Sequence, residues 1–229
     1  MSKKIFEEKD KSMLKGLSKF IYVIATIGKV CIYIAILFLI LTMIILPIIF
    51  NNTKVVNNNI VFTYRDDTVE MNDVGNNKIE IRHNGKIIDE DDHEDYKVFK
   101  KYRNTLNKYS KKELIGYTEA GLILLISYLY LIILVLKHLA KLFKNINEES
   151  TPFTLENVDH MNKMGKYMIA VILLPIIASI LYSVFADIDI NFDFGIVSVM
   201  EILFVLAMSM IFKYGYSIEN SNKNKSKDE

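Results

Sequence analysis

Four long apolar stretches constrain the fold of this chain more than any other feature. They cover residues 30–50, 114–136, 167–185 and 196–212. A helix rises 1.5 Å per residue, so each stretch is about long enough to cross a hydrocarbon core of ~30 Å, the last two being near the lower limit. Because a lipid-exposed backbone must satisfy its own hydrogen bonds, such segments form helices. The sequence therefore predicts an all-α integral membrane protein with four transmembrane helices.

Charged residues make up 24% of the chain, so they must be concentrated outside these stretches. Only Glu119 and Glu201 lie clearly inside one. A net charge of +1 gives no reason to expect a nucleic-acid-binding surface. The single cysteine, Cys31, excludes a disulfide or a cysteine-based zinc site within one chain. No catalytic, cofactor or metal motif is strong enough to name a reaction, so we expect neither an enzyme nor a bound cofactor.

The lysines predict the orientation in the membrane. They are frequent in residues 1–29, 137–166 and 213–229, whereas residues 186–195 contain three aspartates and no basic residue. Cytoplasmic loops carry the excess of lysine and arginine, so both termini and the loop 137–166 are expected inside. The loop 51–113 exceeds the ~60 residues over which this rule counts charges, so it is compatible with an outer position. This pattern predicts an N-in, C-in protein of the plasma membrane.

The first 29 residues are interpreted as a basic amphipathic segment. Apolar residues recur at helical spacing between Met13 and Ile24, among Lys15 and Lys19. A helix of this kind lies in the membrane interface with its apolar face in the lipid. We therefore expect it on the inner leaflet, leading into the span 30–50.

Residues 51–113 are predicted to form a small α+β extracytoplasmic insertion. Residues 78–83 alternate between polar and apolar types, Asn84-Gly85 follows, and another strand-like run begins at residue 86. Asn-Gly between such runs is a strong hairpin signal, because both turn residues tolerate positive φ. Residues 59–64 fit a further strand. After Asp95 an apolar helical face predicts a helix that runs on towards the second span.

The acidic run 89–95 has two interpretations. Several carboxylates suit calcium, but the run lacks the alternating ligands and central glycine of a calcium loop. We favour a solvated loop followed by the first turn of a helix, where acids suit the helix dipole. His83 is expected to be a solvated strand residue, and His138 and His160 are expected to mark interfacial helix faces rather than a site.

Glu119 and Glu201 are the candidate intramembrane acids. Each lies about five residues inside its stretch from the outer side, a shallow depth of ~6–9 Å. A carboxylate in the membrane is costly and is a default functional hypothesis, but at this depth it can also reach the headgroups. We favour the structural interpretation and keep an ion pathway as the alternative. Gly116 and Ala120 are spaced for a close helix contact, within the chain or between copies.

The loop 137–166 contains a well-defined helix start. Thr154 is a predicted N-cap, Glu156 lies in the first turn, and Phe153 and Val158 are spaced for a hydrophobic staple. These features are sufficient to explain the segment structurally. We nevertheless take the loop as the candidate contact for a partner. The residues of this candidate contact are Pro152, Phe153, Thr154, Glu156 and Asn157.

This segment also carries a resemblance to a known family. The run 152–158, followed by Gly165, resembles the hallmark loop of the bacterial domain-of-unknown-function family 2975. The run 206–215, which ends in Tyr214-Gly215, is similar to the closing motif of that family. Where the family often has an acid within this run, the chain has Met210. The resemblance implies a bacterial plasma-membrane protein with four spans and the Pro-Phe loop between the second and third. It implies no biochemical activity.

Three functions remain, in order of preference. The first is a non-enzymatic interaction, sensory or accessory protein, because the outer insertion and the inner loop are both structured. The second is a small oligomeric transporter or channel that uses Glu119 and Glu201, although no inverted repeat or pair of broken helices is evident. A membrane enzyme is a distant third. The expected partners are the lipid bilayer and either another protein or further copies of this chain, and not a nucleic acid.

Overall fold

The computed structural model describes residues 2–56, 59–75, 78–91, 93–148, 151–186 and 196–225. The chain divides into two compact units, residues 1–37 with 124–229 and residues 38–123, with the boundaries inside two long helices. The described residues form five helices and five strands. In chain order these are α1 (Ser2–Asn52), β1 (Thr53–Val56), β2 (Asn59–Tyr64), β3 (Asp67–Gly75), β4 (Lys78–His83), β5 (Lys86–Asp91), α2 (His93–Lys108), α3 (Lys111–Glu148), α4 (Leu155–Ala186) and α5 (Ile196–Lys225).

Four of the described helices, α1, α3, α4 and α5, are long and apolar enough to cross a membrane. This confirms the predicted four-helix framework. α3 has 38 residues and α4 has 32, which correspond to about 57 Å and 48 Å of helix. Both exceed the ~30 Å hydrocarbon core, so their charged ends extend beyond it. Of the predicted turn 186–195, residues 187–195 lie outside the described residues.

The unit 38–123 contains an antiparallel five-stranded meander in the order β1-β2-β3-β4-β5. The predicted hairpin is confirmed: Asn84 has φ 48° and Gly85 has φ 79°, as a tight hairpin turn of this type requires. The Asn84 side-chain oxygen accepts a hydrogen bond from the Thr68 N–H at 2.8 Å, which ties the turn to β3. α2 covers the sheet through Phe99, which is buried with Ile60 and Ile79.

The expectation that the helix after Asp95 continues into the second span is wrong. α2 ends at Lys108, and α3 starts after Ser110. The Glu113 N–H donates to the Ser110 hydroxyl oxygen at 3.3 Å, and the Ser110 N–H donates to a Glu113 carboxylate oxygen at 2.8 Å. This reciprocal pair is a capping box, which satisfies the free donors at a helix start and gives α3 its own beginning.

The acidic run differs from its prediction as well. Asp89 belongs to β5, which continues to Asp91 and replaces the predicted loop, and α2 begins at His93. Asp92 lies outside the described residues. Among the residues that the structure describes, no three His, Cys, Asp or Glu side chains lie together as metal ligands would.

Candidate functional site

The unit 1–37 with 124–229 has its core where α3, α4 and α5 meet. Apolar side chains from all three helices pack there, and Phe153, which precedes α4, packs against them. We call this group the junction cluster. Its buried members are Leu142 and Ile146 of α3, Val158, Met161 and Met164 of α4, and Phe212 of α5.

The start of α4 is fixed by a side-chain cap. The Asn157 N–H donates to the Thr154 hydroxyl oxygen at 3.2 Å, and the Val158 N–H donates to the Thr154 carbonyl at 3.1 Å. Thr154 is therefore the N-cap that the sequence predicts. Phe153 and Val158, the two staple positions, both pack in the junction cluster.

Phe153 rests on a glycine of α5. Its ring meets Phe212 edge to face, with centroids 5.6 Å apart. A Cβ atom placed on Gly215 would lie 2.5 Å from Cδ1 of Phe153, closer than two non-bonded carbon atoms can approach. Only glycine leaves room for the ring at this position. The two segments that carry the family resemblance, one before α4 and one at the end of the fourth apolar stretch, thus contact each other through Phe153 and Gly215.

A second glycine contact lies further along the same helix pair. A Cβ atom on Gly165 of α4 would lie 3.1 Å from a methyl group of Leu206 on α5. The Ser209 hydroxyl of α5 also donates to the Asn162 side-chain oxygen of α4 at 2.6 Å. These contacts hold α4 and α5 at close range along two successive turns.

The loop before α4 is bonded to its surroundings on both sides. The Thr151 hydroxyl donates to a Glu219 carboxylate oxygen of α5 at 2.7 Å and accepts the Phe153 N–H at 3.2 Å. The Asn157 side-chain amide donates to the Pro152 carbonyl at 2.9 Å. Asn157 is fully buried, and its side-chain oxygen makes no hydrogen bond with a described residue.

Four of the five residues predicted as a partner contact make contacts inside the protein. They are Pro152 and Thr154, which accept hydrogen bonds, Phe153, which packs in the junction cluster, and Asn157, which is buried. Asn157 is inaccessible, whereas Phe153 is half-buried and packs in the junction cluster. Glu156 is exposed, and so is its neighbour Leu155, which keeps 63% of its surface accessible. The accessible part of this segment is the outer side of the first turn of α4.

A histidine pair lies beside the junction cluster, and sequence reasoning missed it. Nδ1 of His138 on α3 is 3.2 Å from Nδ1 of His160 on α4. Both residues are buried, with 8% and 4% of their surface exposed. The expectation that they mark interfacial helix faces is wrong, because each ring faces the other helix. The ring of His138 also stacks on Tyr167, with centroids 5.7 Å apart.

One sequence signal could have indicated the position of His138. It precedes Leu142 by four residues and Ile146 by eight, and this spacing places all three on one face of a helix. The partner, His160, is 22 residues away on another helix. No local pattern predicts that pairing.

The surroundings of both imidazoles favour the neutral form. Burial lowers the pKa of His138, and His160, Lys163, Lys137 and Lys141 lower it further. Burial also lowers the pKa of His160; nearby Glu156 opposes that effect. A contact between two Nδ1 atoms requires one ring to donate a proton and the other to accept it. The geometry therefore fits two neutral rings and is lost when both are protonated.

The two intramembrane acids belong to different units. Glu119 on α3 is half-buried and lies in the unit 38–123, whereas Glu201 on α5 is exposed and lies in the other. Neither makes a side-chain hydrogen bond or an ion pair with the residues that the structure describes. The predicted close contact at Gly116 is not formed within the described chain, because a Cβ atom there would meet nothing within 4 Å.

Comparison with known proteins gives one family. A family model described as a protein of unknown function (DUF2975) matches residues 89–223, more than half of the chain. The matched segment contains α3, α4, the histidine pair and both members of the Phe153–Gly215 contact. No curated protein and no solved structure matches the chain.

Proposed function

This chain belongs to the DUF2975 family, whose function is unknown. From the residues of this chain, we propose that it is a non-enzymatic membrane protein that recognises a protein partner through the first turn of α4. The observation that carries this proposal is the division of that turn into two sides. Phe153 and Asn157 fasten it to the protein, while Leu155 and Glu156 remain accessible.

A surface that is fixed before binding loses little conformational entropy when a partner docks. The N-cap of Thr154, the bond from Thr151 to Glu219 and the ring of Phe153 on Gly215 together restrict this turn. Leu155 supplies an apolar contact, and Glu156 beside it supplies a charge. Protein interfaces commonly combine an apolar centre with polar groups at the rim.

The histidine pair supports a sensory role for the same element. His160 lies on α4 one turn after Glu156, and its Nε2 is 3.5 Å from a Glu156 carboxylate oxygen. Protonation of both buried rings would break the Nδ1 contact between His138 and His160 and so disturb the turn that presents Leu155. Histidine is the side chain whose ordinary pKa allows such a change near neutral pH.

For the cellular position, we propose a bacterial plasma membrane with both termini in the cytoplasm. The lysine-rich segments 1–29, 137–166 and 213–229 support this orientation. The proposed contact at Leu155 then faces the cytoplasm, and the sheet of the unit 38–123 faces outwards.

A photo-crosslinking amino acid at position 155 of the full chain, in native membranes, tests the proposal directly. We expect one defined protein adduct from this position. The matched control is the same amino acid at Ile88, an apolar strand residue of the other unit that is 62% exposed. Adducts with lipid only, or the same adducts from both positions, would contradict the proposal. Adducts with a second copy of this chain would identify the partner as a homo-oligomer.

A small oligomeric transporter or channel is the second candidate, and the exposure of Glu201 favours it. This carboxylate lies between exposed apolar side chains of α5, Met200 and Phe204 among them. A charge on an apolar helix face is costly unless it reaches water or meets another helix. Cation flux into liposomes, compared between wild type and the Glu119→Gln/Glu201→Gln double variant, tests it. Equal flux would exclude the two acids from any pathway.

A further inference from the structure

Helix α2 of the unit 38–123 has two faces of different character. One face packs on the sheet through Phe99, which is buried, with Tyr96, Tyr102 and Leu106 beside it. The opposite face forms one stripe along the helix and lines a shallow depression. Its residues are Lys97, Lys100, Lys101, Asn104, Thr105 and Lys108.

Folding does not account for this lysine face. Lys97, Lys100 and Lys101 are exposed and make no side-chain hydrogen bond or ion pair with the described residues. Like charges three or four residues apart on a helix repel each other and destabilise it. Arg103 on the same helix shows the contrast, since it turns to the sheet and pairs with Asp73 at 3.0 Å. Lys97, Lys100 and Lys101 are therefore available to an anion that lies outside the protein.

The lysine face lies next to the point where the chain enters its apolar helices. α2 ends at Lys108, and the apolar part of α3 begins six residues later, at Leu114. The Lys111 ammonium donates to the carbonyl of Asn51, near the end of α1, at 2.8 Å. Within this unit the ends of α1 and α3 that border the sheet are thus tied together. Lys108 and Leu114 are six residues apart, which is ~9 Å of chain if it were helical throughout and at most about 20 Å if extended. Both lengths are comparable with the ~8–10 Å over which salt screens charges.

We propose that the lysine face of α2 binds the phosphate groups of anionic lipids on the side of the bilayer where the unit 38–123 lies. The chemistry of the face fits a lipid surface better than a built pocket. Its charged groups are lysine ammonium groups, which are point charges on flexible side chains. None of its residues is an arginine, whose planar guanidinium would bind a single phosphate through two parallel hydrogen bonds. The charges belong to one helix and lie on one side of it, as contact with a planar array of phosphates requires. This inference depends neither on the proposed partner at Leu155 nor on the orientation of the chain.

The experiment uses the full chain in neutral detergent, with Cys31→Ser and Asn104→Cys and an environment-sensitive fluorophore on the new cysteine. Short-chain phosphatidylglycerol is titrated against short-chain phosphatidylcholine. We expect a saturable fluorescence change with the anionic lipid only, weakened by added salt. The Lys97→Gln/Lys101→Gln variant should need about thirtyfold more anionic lipid for half-saturation, since each lysine near a charged surface contributes about 1 kcal/mol.

The matched control is Lys54→Gln/Lys86→Gln, which removes the same charge from two exposed lysines of the sheet. It should stay within about twofold of the parent, since these lysines lie outside the stripe. Unchanged hydrogen exchange of β2 and β3 in both variants shows that each remains folded. Equal responses to both lipids, or equal losses in the two variants, would overturn the proposal. A response of the same size to inorganic phosphate would overturn the assignment to a lipid surface.

Discussion

The sheet of the unit 38–123 and the junction cluster of the other unit are stabilised in opposite ways. In the sheet, Asp73 accepts hydrogen bonds from Arg103 at 3.0 Å and from the Tyr96 hydroxyl at 3.2 Å, so a charged pair connects β3 to α2. In the junction cluster, an aromatic ring lies on Gly215 and two imidazoles face each other. Besides its apolar contacts, the sheet thus uses a pair of ionised groups, whereas these contacts of the junction cluster use close packing and neutral groups.

This difference sets the pH at which each region weakens. Burial opposes ionisation of Asp73, but hydrogen bonds from Arg103, Gly75 and Tyr96 outweigh it and hold the pKa of the carboxyl below its usual range. Burial and neighbouring lysines hold the pKa of His138 below its usual range too. A lowered pKa keeps an aspartate charged and a histidine neutral. The same direction of shift therefore has opposite electrostatic meaning in the two regions.

The largest effect is expected from Asp73→Ala. This change removes acceptors for Arg103, Tyr96 and the Gly75 N–H, and it leaves the Arg103 guanidinium, whose side chain is 11% exposed, without this partner. We expect a loss of about 3 kcal/mol in the stability of the sheet, measured by hydrogen exchange of β3 amides in the full chain. Asp66→Ala, in the exposed turn before β3, is the control and should change exchange little. Equal effects of the two variants would show that the charged pair does not stabilise the sheet.

Gly215→Ala should have the next largest effect, confined to the junction cluster. The new methyl group would collide with the Phe153 ring, and overpacking of this kind costs about 1–3 kcal/mol. Gly16→Ala on α1 is the matched control. Its Cβ would meet nothing within 4 Å, so the gain in helix propensity should leave it neutral or more stable by up to about 1 kcal/mol. Thermal unfolding in detergent compares the two.

A double variant sharpens this test. In Phe153→Ala the ring that meets residue 215 is absent, so Gly215→Ala should then be tolerated. If Gly215→Ala destabilises the chain equally with and without the ring, the cost arises elsewhere than at this contact.

In both regions, the sequence predicts the features that depend on residues close together along the chain. Asn84-Gly85 specifies its turn through positive φ values, and Thr154 specifies the start of α4 through its own hydroxyl. Ser110 carries an equally local signal, with Glu113 three residues later, but the apolar face of α2 favours a continuous helix and masks it. These features need only a few residues of chain, so a single sequence contains enough information to identify them.

Contacts between helices were not predictable in the same way. Phe153 and Gly215 lie in different elements, and so do His138 and His160. A glycine in an apolar helix is compatible with many neighbours, and a histidine near a membrane surface is compatible with exposure. Helix packing decides between these outcomes, and helical periodicity alone does not specify which faces meet.

Acidification should separate the two regions. The folded-state pKa values of His138 and His160 lie below their ordinary value of 6.5, so the unfolded chain binds protons first and the junction cluster loses stability as the pH falls below about 6.5. The pKa of Asp73 is lowered from 3.8, so the sheet keeps this contribution until the pH falls below about 4. Hydrogen exchange between pH 7.5 and about 5, corrected for intrinsic rates, should therefore show a loss of protection in α4 and none in β3.

His138→Phe keeps a ring against Tyr167 and removes one titrating group, so the loss in α4 on acidification should become shallower. The control is His83→Gln, which removes an exposed histidine of the sheet and should leave the response of α4 unchanged. If α4 and β3 weaken at the same pH in every variant, the histidine pair is not the cause.

The smallest effects compare the helix caps of the two regions, Ser110 for α3 and Thr154 for α4. Ser110→Ala should cost about 0.5 kcal/mol, since Ser110 is exposed and water can replace its oxygen as the acceptor for the Glu113 N–H. Thr154→Ala should cost about 1.5 kcal/mol, because it leaves the N–H of the fully buried Asn157 without this acceptor. Thr154→Ser keeps the oxygen and should restore most of the loss. Equal costs for the two alanine variants would mean that burial of the junction cluster does not strengthen its cap.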